Sequence, residues 1–299
     1  MSKHLPDLLA LKASWVLSLR AERKSDETLR AYQRSLDSYL AWYEDTDTTP
    51  ELTKAAATAF VAHLLEEGAS ANTARLRLAG LKAFADWLVA EGELDDDPLV
   101  GITPPKLDQT YTEALTEDQL RALFKACTGT DILARRDMAL ARLMAETGVR
   151  AGEVLNLHIS DVDLGKGVAV VRRGKGAKGR VVPFGNATAA AIDRYLRARA
   201  RQGAPGEGAL WLGNLGKPLG YGGLSASLKA RATQAKIPNF HLHVLRNTAA
   251  TRWLAAGGSE QGLMAVAGWS TREMLDRYTG ASKMHRAVDE ARGLGLGEL

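Results

Sequence analysis

At 299 residues the chain is long enough for two domains, each with its own core, and its 45% hydrophobic and 25% charged content is ordinary for a globular protein. No run approaches eighteen apolar residues, which argues against a membrane-spanning helix, and the single cysteine, Cys127, excludes an intramolecular disulfide or a cysteine-based metal cluster. A net charge of +4 permits a nucleic-acid partner without demanding one, so the clustering of basic residues matters more than their sum. The opening MSKHLPDLLALKASW has no long apolar core and no small-residue cleavage site, so the expectation is a mature, cytoplasmic protein.

The spacing predicts a helix over 5–22, with Leu8, Leu9, Leu11, Trp15, Leu17 and Leu19 on a broad apolar side. Ser25 or Asp26 caps a second helix to about Glu44, in which Leu29, Tyr32, Leu36, Tyr39, Leu40 and Tyr43 recur at three-to-four spacing. After the polar break DTDTTP a third helix runs over 51–67 to Gly68. Ser70 or Asn72 caps a fourth, with Leu76, Leu81, Phe84, Leu88 and Val89 facing inward, and Asp95, Asp96, Asp97 and Pro98 stop it. Residues 1–100 thus read as an all-helical four-helix domain. Arg75, Arg77 and Lys82 sit on the fourth helix without nearby acids; each alone reads as a solvated cation, and together they are candidates for phosphate contact along DNA. Residues 101–111, GITPPKLDQTY, hold adjacent prolines and little apolar content, and are the expected linker to a second domain over 112–299.

The second domain opens with a helix capped by Thr116, at whose end Cys127 reads as a packing residue. A helix over 131–145 ends at Thr147-Gly148, and VRAGEVLNL starts the next at once. Arg150 therefore lies beside a tight glycine turn near a helix N-terminus, where backbone N–H groups favour an anion. Two strand-like runs, 168–173 and 180–184, flank the glycine-rich loop GKGAKG, which carries Lys175 and Lys178. Helices are expected at 187–201, 222–236 and 244–257, around 259–267 and 271–279, and at 282–292. Between Arg172 and Arg201 nine Arg or Lys residues face one acid, Asp193, a balance that points to a polyanion. Arg172, Arg173, Lys178 and Arg180 are the DNA contacts expected from it.

Residues 241–279 carry the chemistry. They hold a His-x-x-Arg pair, His243 and Arg246, then Gly268-Trp269, then Tyr278. An arginine clamps anionic oxygens, a histidine handles a proton, and a tyrosine hydroxyl attacks phosphorus. The i, i+3 spacing puts His243 and Arg246 on one helix face. The tyrosine needs help, because its ordinary pKa is about 10. Tyr111, Tyr195 and Tyr221 are rivals by residue type, but all precede the His-x-x-Arg box, and Tyr195 lies where packing is expected.

In order, TGVRAGEVLNL, GKGAKGRVVPF, HVLRNTAATRWL, AGWS and Tyr278 resemble the motifs of the tyrosine recombinase family, the phage integrases and Xer-type recombinases. The resemblance implies that Arg150 is the first catalytic arginine with Glu153 as its supporting acid. Lys175 is then the catalytic lysine of a β-hairpin, His243 and Arg246 form the second box, Trp269 fills the family's His/Trp position, and Tyr278, nine residues later, is the nucleophile. Trp at 269 replaces the more frequent His, and Asn247 stands where His is common. Trp269 reads equally as a phosphate contact through its indole N–H and as a core residue.

The implied fold is mainly α in two domains, a SAM-like core-binding bundle and a mixed α/β catalytic domain with a small antiparallel sheet. The implied activity is site-specific DNA recombination. Tyr278 forms a 3′-phosphotyrosyl link, strands exchange through a Holliday junction, and the outcome is integration or dimer resolution. Bond energy is kept in the covalent link, so no cofactor, metal or ATP is expected. The expected partners are double-stranded recombination sites and a tetramer of this chain, or of this chain with a paralogue, joined by the helix at 282–292. A start directly at the four-helix unit suggests an enzyme without an extra arm-binding domain. A type IB topoisomerase-like relaxing activity and an inactive DNA-binding protein are the competing readings.

Overall fold

The computed structural model describes residues 6–44, 49–107, 113–172, 179–214 and 216–275, together with Val288 and Arg292. The chain divides into two compact units, Met1–Gln109 and Thr110–Leu299.

The first unit contains α1 (Leu8–Ala21), α2 (Asp26–Glu44), α3 (Lys54–Glu66) and α4 (Ala71–Ala90). Each begins on a side-chain cap: Asp7, Ser25, Thr53 and Ser70 accept from backbone N–H groups one turn on. Trp15, Leu36, Tyr39, Phe60, Leu78, Leu81, Phe84 and Leu88 fill the core, and each is worth about 1.5–3 kcal/mol of transfer free energy. Trp15 lies 4.8 Å from Phe84 and 5.9 Å from Tyr32 between ring centroids.

Three expected core positions are corrected. Leu9, Leu17 and Leu76 are 69%, 67% and 53% exposed. The buried rows are Leu8, Trp15 and Leu19 on α1, and Leu78, Leu81, Phe84, Ala85 and Leu88 on α4, which keep the three-to-four repeat that Leu9, Leu17 and Leu76 break. The expected linker is also partly engaged. Ile102 is buried, its carbonyl accepts from Lys82 Nζ at 2.9 Å, and the Pro105 carbonyl accepts from Arg75 Nη1 at 2.8 Å. Two of the cations expected on DNA thus hold residues 101–107 on α4.

The second unit runs α5 (Glu117–Ala126), α6 (Ile132–Thr147), α7 (Ala151–Leu155), a short turn, β1 (Val162–Asp163), β2 (Val168–Val171), β3 (Arg180–Pro183), α8 (Asn186–Arg201), α9 (Tyr221–Gln234), α10 (Leu242–Ala255) and α11 (Glu260–Ala267). The three strands form one antiparallel sheet in the order β1-β2-β3, with Val171 opposite Arg180 and Ala169 opposite Val182. β1 is new relative to the sequence reading, because two residues are too short to show alternation.

α6 is the central helix of this unit, buried on most sides and packed on α8 and α10. Tyr195 lies fully buried against Trp211, with ring centroids 5.4 Å apart. Its hydroxyl donates to the Leu210 carbonyl and accepts from the Leu212 N–H, so it packs as expected. Cys127 closes α5 in the core. A smaller cluster of Ala250, Leu254, Leu263, Ala267, Trp269 and Leu275 joins α10 to α11. Among the described residues no helix is long and apolar enough to cross a membrane.

Candidate active site

The site begins at the turn between α6 and α7. Gly148 ends α6 with φ +64, a left-handed conformation that glycine adopts without strain. The Thr147 hydroxyl bonds back to Leu143 O and accepts from Val149 N, which tightens the turn. Arg150 follows in extended conformation as the N-cap of α7. Its N–H donates to Glu153 Oε2 at 2.8 Å, and its Nη1 donates to Glu153 Oε1 at 3.0 Å. The anion expected at this helix start is therefore the chain's own Glu153.

Glu153 is also gripped from the sheet. Arg180 Nη1 and Nη2 reach Oε1 and Oε2 at 2.9 and 2.7 Å, a fork-to-fork pair. Burial alone would raise the Glu153 carboxyl. The Arg180 hydrogen bonds, the Arg150 N–H and the charges of both guanidiniums outweigh it and hold the pKa below its ordinary range.

Three arginines from three elements meet at the end of α11. Arg180 Nε donates to Val266 O at 2.7 Å, Arg246 Nη2 to Ala267 O at 2.8 Å, and Arg150 Nη2 to Gly268 O at 3.3 Å. Consecutive carbonyls at a helix C-terminus are its negative pole, a natural seat for cations. Gly268 makes the approach possible. It caps α11 at φ +66, and a Cβ there would stand 2.9 Å from Arg180 Cζ. Arg246 also donates to the Gly148 carbonyl, which ties α10 to the first turn. Within these four side chains three positive charges face one negative charge, an excess of two.

The structure thus brings together Arg150, Glu153, Arg246 and Trp269. The Arg246 guanidinium lies 5.1 Å from the Trp269 ring centroid, and Trp269 is buried in the α10–α11 cluster, as a packing residue would be. Arg150 keeps 27% of its side chain exposed, whereas Arg246 is 2% exposed. His243, one turn before Arg246, is exposed near the start of α10, a helix that begins without a side-chain cap. Lys175 and Tyr278 lie outside the described residues, as do Arg173, Lys178, Tyr111 and most of the helix expected at 282–292. Of that helix Val288 and Arg292 are described, both helical and exposed.

The basic segment is more internally balanced than its composition implied. Arg172 pairs with Asp161 while staying 66% exposed, Arg197 pairs with Asp193 at 2.7 Å, and Arg199 is buried with its guanidinium on the carbonyls of Pro205, Glu207, Ala209 and Leu210. Arg180, expected on DNA, is engaged inside the protein. The missed signal was alternation: Val182 faces inward, so Arg180, two residues earlier, shares that face. Among the described residues no group of three or more His, Cys, Asp or Glu is placed to hold a metal ion.

The profile described as Phage integrase family matches residues 113–285, and that of the Phage integrase N-terminal SAM-like domain matches residues 13–92. Tyrosine recombinase XerC of Pseudomonas fluorescens is 29% identical over 273 residues, covering 90% of this chain and 91% of the relative. The crystal structure of XerA recombinase is similar with 27% identity and a TM-score of 0.53, covering 91% of this chain and 93% of that one. A lambda integrase tetramer bound to a Holliday junction shares the fold, with a TM-score of 0.72 at 17% identity, covering 93% of this chain and 78% of that one.

Proposed function

This chain belongs to the phage integrase family and is a tyrosine recombinase, and from that premise we propose which residues cut and rejoin DNA. The observation that carries the reading is the excess of guanidinium charge gathered at the α11 end. A phosphodiester carries one negative charge and gains another as a nucleophile adds. A unit charge about 4 Å from such an oxygen contributes roughly 4 kcal/mol at an effective dielectric of 20. Preorganised donors of this kind each lower the barrier by about 3 kcal/mol or more.

In this reading Arg150, the more open guanidinium, takes the non-bridging oxygens directly, and Arg246 adds charge from beneath. Tyr278 Oη attacks phosphorus and forms the 3′-phosphotyrosyl bond as the bond to the 5′-oxygen breaks. His243 takes the tyrosine proton, and Lys175 delivers one to the leaving oxygen, giving a 5′-hydroxyl. The 5′-hydroxyl of a partner duplex reverses the step, so no external energy source is consumed. Trp269 supports Arg246 by packing. Arg77 and the exposed Arg172 remain candidates for backbone phosphate contact. Four protomers acting on two DNA sites through a Holliday junction is the assembly that the family resemblance supports, as in the lambda integrase tetramer bound to a Holliday junction. The compartment is the one that holds the DNA, the cytoplasm of a bacterial cell.

The test is a covalent trap. Sequencing DNA captured from a fragment library defines the site, and a duplex nicked beside it then accumulates adduct. Wild type is expected to form the adduct and Tyr278→Phe none. An adduct that persists in Tyr278→Phe overturns the nucleophile assignment. Relaxation of plasmids without exchange between two sites overturns recombination in favour of a topoisomerase.

A further inference from the structure

Arg180 stands at the hairpin end of β3 with 11% of its side chain exposed. All three of its guanidinium nitrogens are engaged, Nε on Val266 O and the two Nη atoms on the two oxygens of Glu153. Glu153 in turn accepts from the backbone and the side chain of Arg150, one on each oxygen. Main chain and guanidinium of Arg150 are therefore referenced to a carboxylate whose plane Arg180 fixes. A guanidinium this enclosed and this fully used has little to offer a DNA phosphate.

We propose that Arg180 is a positioning residue for DNA cleavage, acting through Glu153 on Arg150. The inference rests on the reading of Arg150 as the phosphate-holding group. Its specific demand is geometry rather than charge. A bidentate fork matches a carboxylate in a plane, and a lysine ammonium in the same place supplies the charge without the plane. A shift of about 1 Å in a positioned group costs on the order of 100-fold in rate.

The experiment compares wild type, Arg180→Lys, Arg180→Met, Glu153→Gln and the Arg180→Met/Glu153→Gln double variant. Each is measured for single-turnover cleavage of the nicked duplex, for DNA affinity across a salt series, and for thermal unfolding. Arg180→Lys is expected to slow cleavage roughly 10- to 100-fold with the DNA dissociation constant and its salt slope unchanged. In the Glu153→Gln background, Arg180→Met is expected to change the rate by no more than about twofold, the ordinary error of additivity. Full-rate cleavage by Arg180→Lys overturns the proposal. So does a salt slope reduced by about 0.9 in Arg180→Met, the signature of a lost phosphate contact. So does a full multiplicative loss in the double variant. If Arg180→Met fails to fold on its own, Arg180→Lys and the double variant carry the decision. A wild-type chain that forms no adduct overturns the cleavage reading and this inference with it, and that result is visible before any variant is made.

Discussion

Gly268→Ala tests the packing of the site through a single added methyl. The residue sits at φ +66, so a side chain pays a left-handed strain of about 1 kcal/mol. The new Cβ would lie 2.9 Å from Arg180 Cζ and Nη1, and 3.0 Å from Nε. The end of a long side chain normally yields cheaply. Here it is held by three charge-assisted hydrogen bonds, and overpacking against a fixed group costs about 1–3 kcal/mol. The sum is about 3 kcal/mol, or a fall of roughly 6–12 °C in Tm for a unit of this size. Gly257→Ala is the control, since Gly257 has φ +81 and nothing within 4 Å of a built Cβ. It is expected to cost only the backbone strain, about 1 kcal/mol and roughly 2–4 °C. Thermal unfolding of the full chain measures both. Cleavage at 25 °C, where both variants remain folded, should drop about 100-fold in Gly268→Ala alone, because the displaced carbonyl also holds Arg150. Equal losses of Tm in the two variants would refute the argument that Arg180 is pinned against Gly268.

Two further predictions concern titratable groups. Glu153→Gln leaves Arg150 and Arg180 without their shared anion and is expected to cost about 3 kcal/mol at pH 7 by urea unfolding. The folded carboxyl titrates below its ordinary 4.5, so the stabilisation is full above that value and is lost as pH falls through the folded pKa; the wild-type and variant curves should draw together as pH falls below 4.5, and a gap that does not narrow on acidification would sink the assignment. Burial, seconded by Asp137, pushes the Cys127 thiol up to about 12, so a thiol reagent at pH 8 should label it only as fast as the chain unfolds, and rapid labelling of the native protein would contradict its burial.

The helical frame was legible because its signals are local. Thr116 with Gln119 forms a full capping box, Ser70 caps α4, and Gly148 stops α6, each visible as a residue type at a fixed offset. Where the apolar pattern was over-full, as on α1 and α4, counting leucines mis-assigned Leu9, Leu17 and Leu76, and only the strict repeat would have sorted them. The site was half legible. Arg150, Glu153, Arg246 and Trp269, which the structure brings together, stood in recognisable boxes, yet Arg180 read as one more cation in a basic run. Its true neighbours, Glu153 and Val266, are 27 and 86 residues away, and no local pattern encodes a pairing across that distance. The basic run between Arg172 and Arg201, which includes Arg199, looked less balanced than it is because backbone carbonyls are invisible in a charge count, and they are what Arg199 binds.

The carbonyls of residues 266–268 also set when this cluster of arginines can form. They anchor arginines from as far as 118 residues upstream, so the anion seat cannot assemble by local folding. A ribosome-bound chain displays Arg150 and Arg180 well before residue 266 is made, and in that interval its guanidiniums have no common helix end to gather on. A chain that stops short of residue 266 therefore lacks the helix end on which these guanidiniums gather.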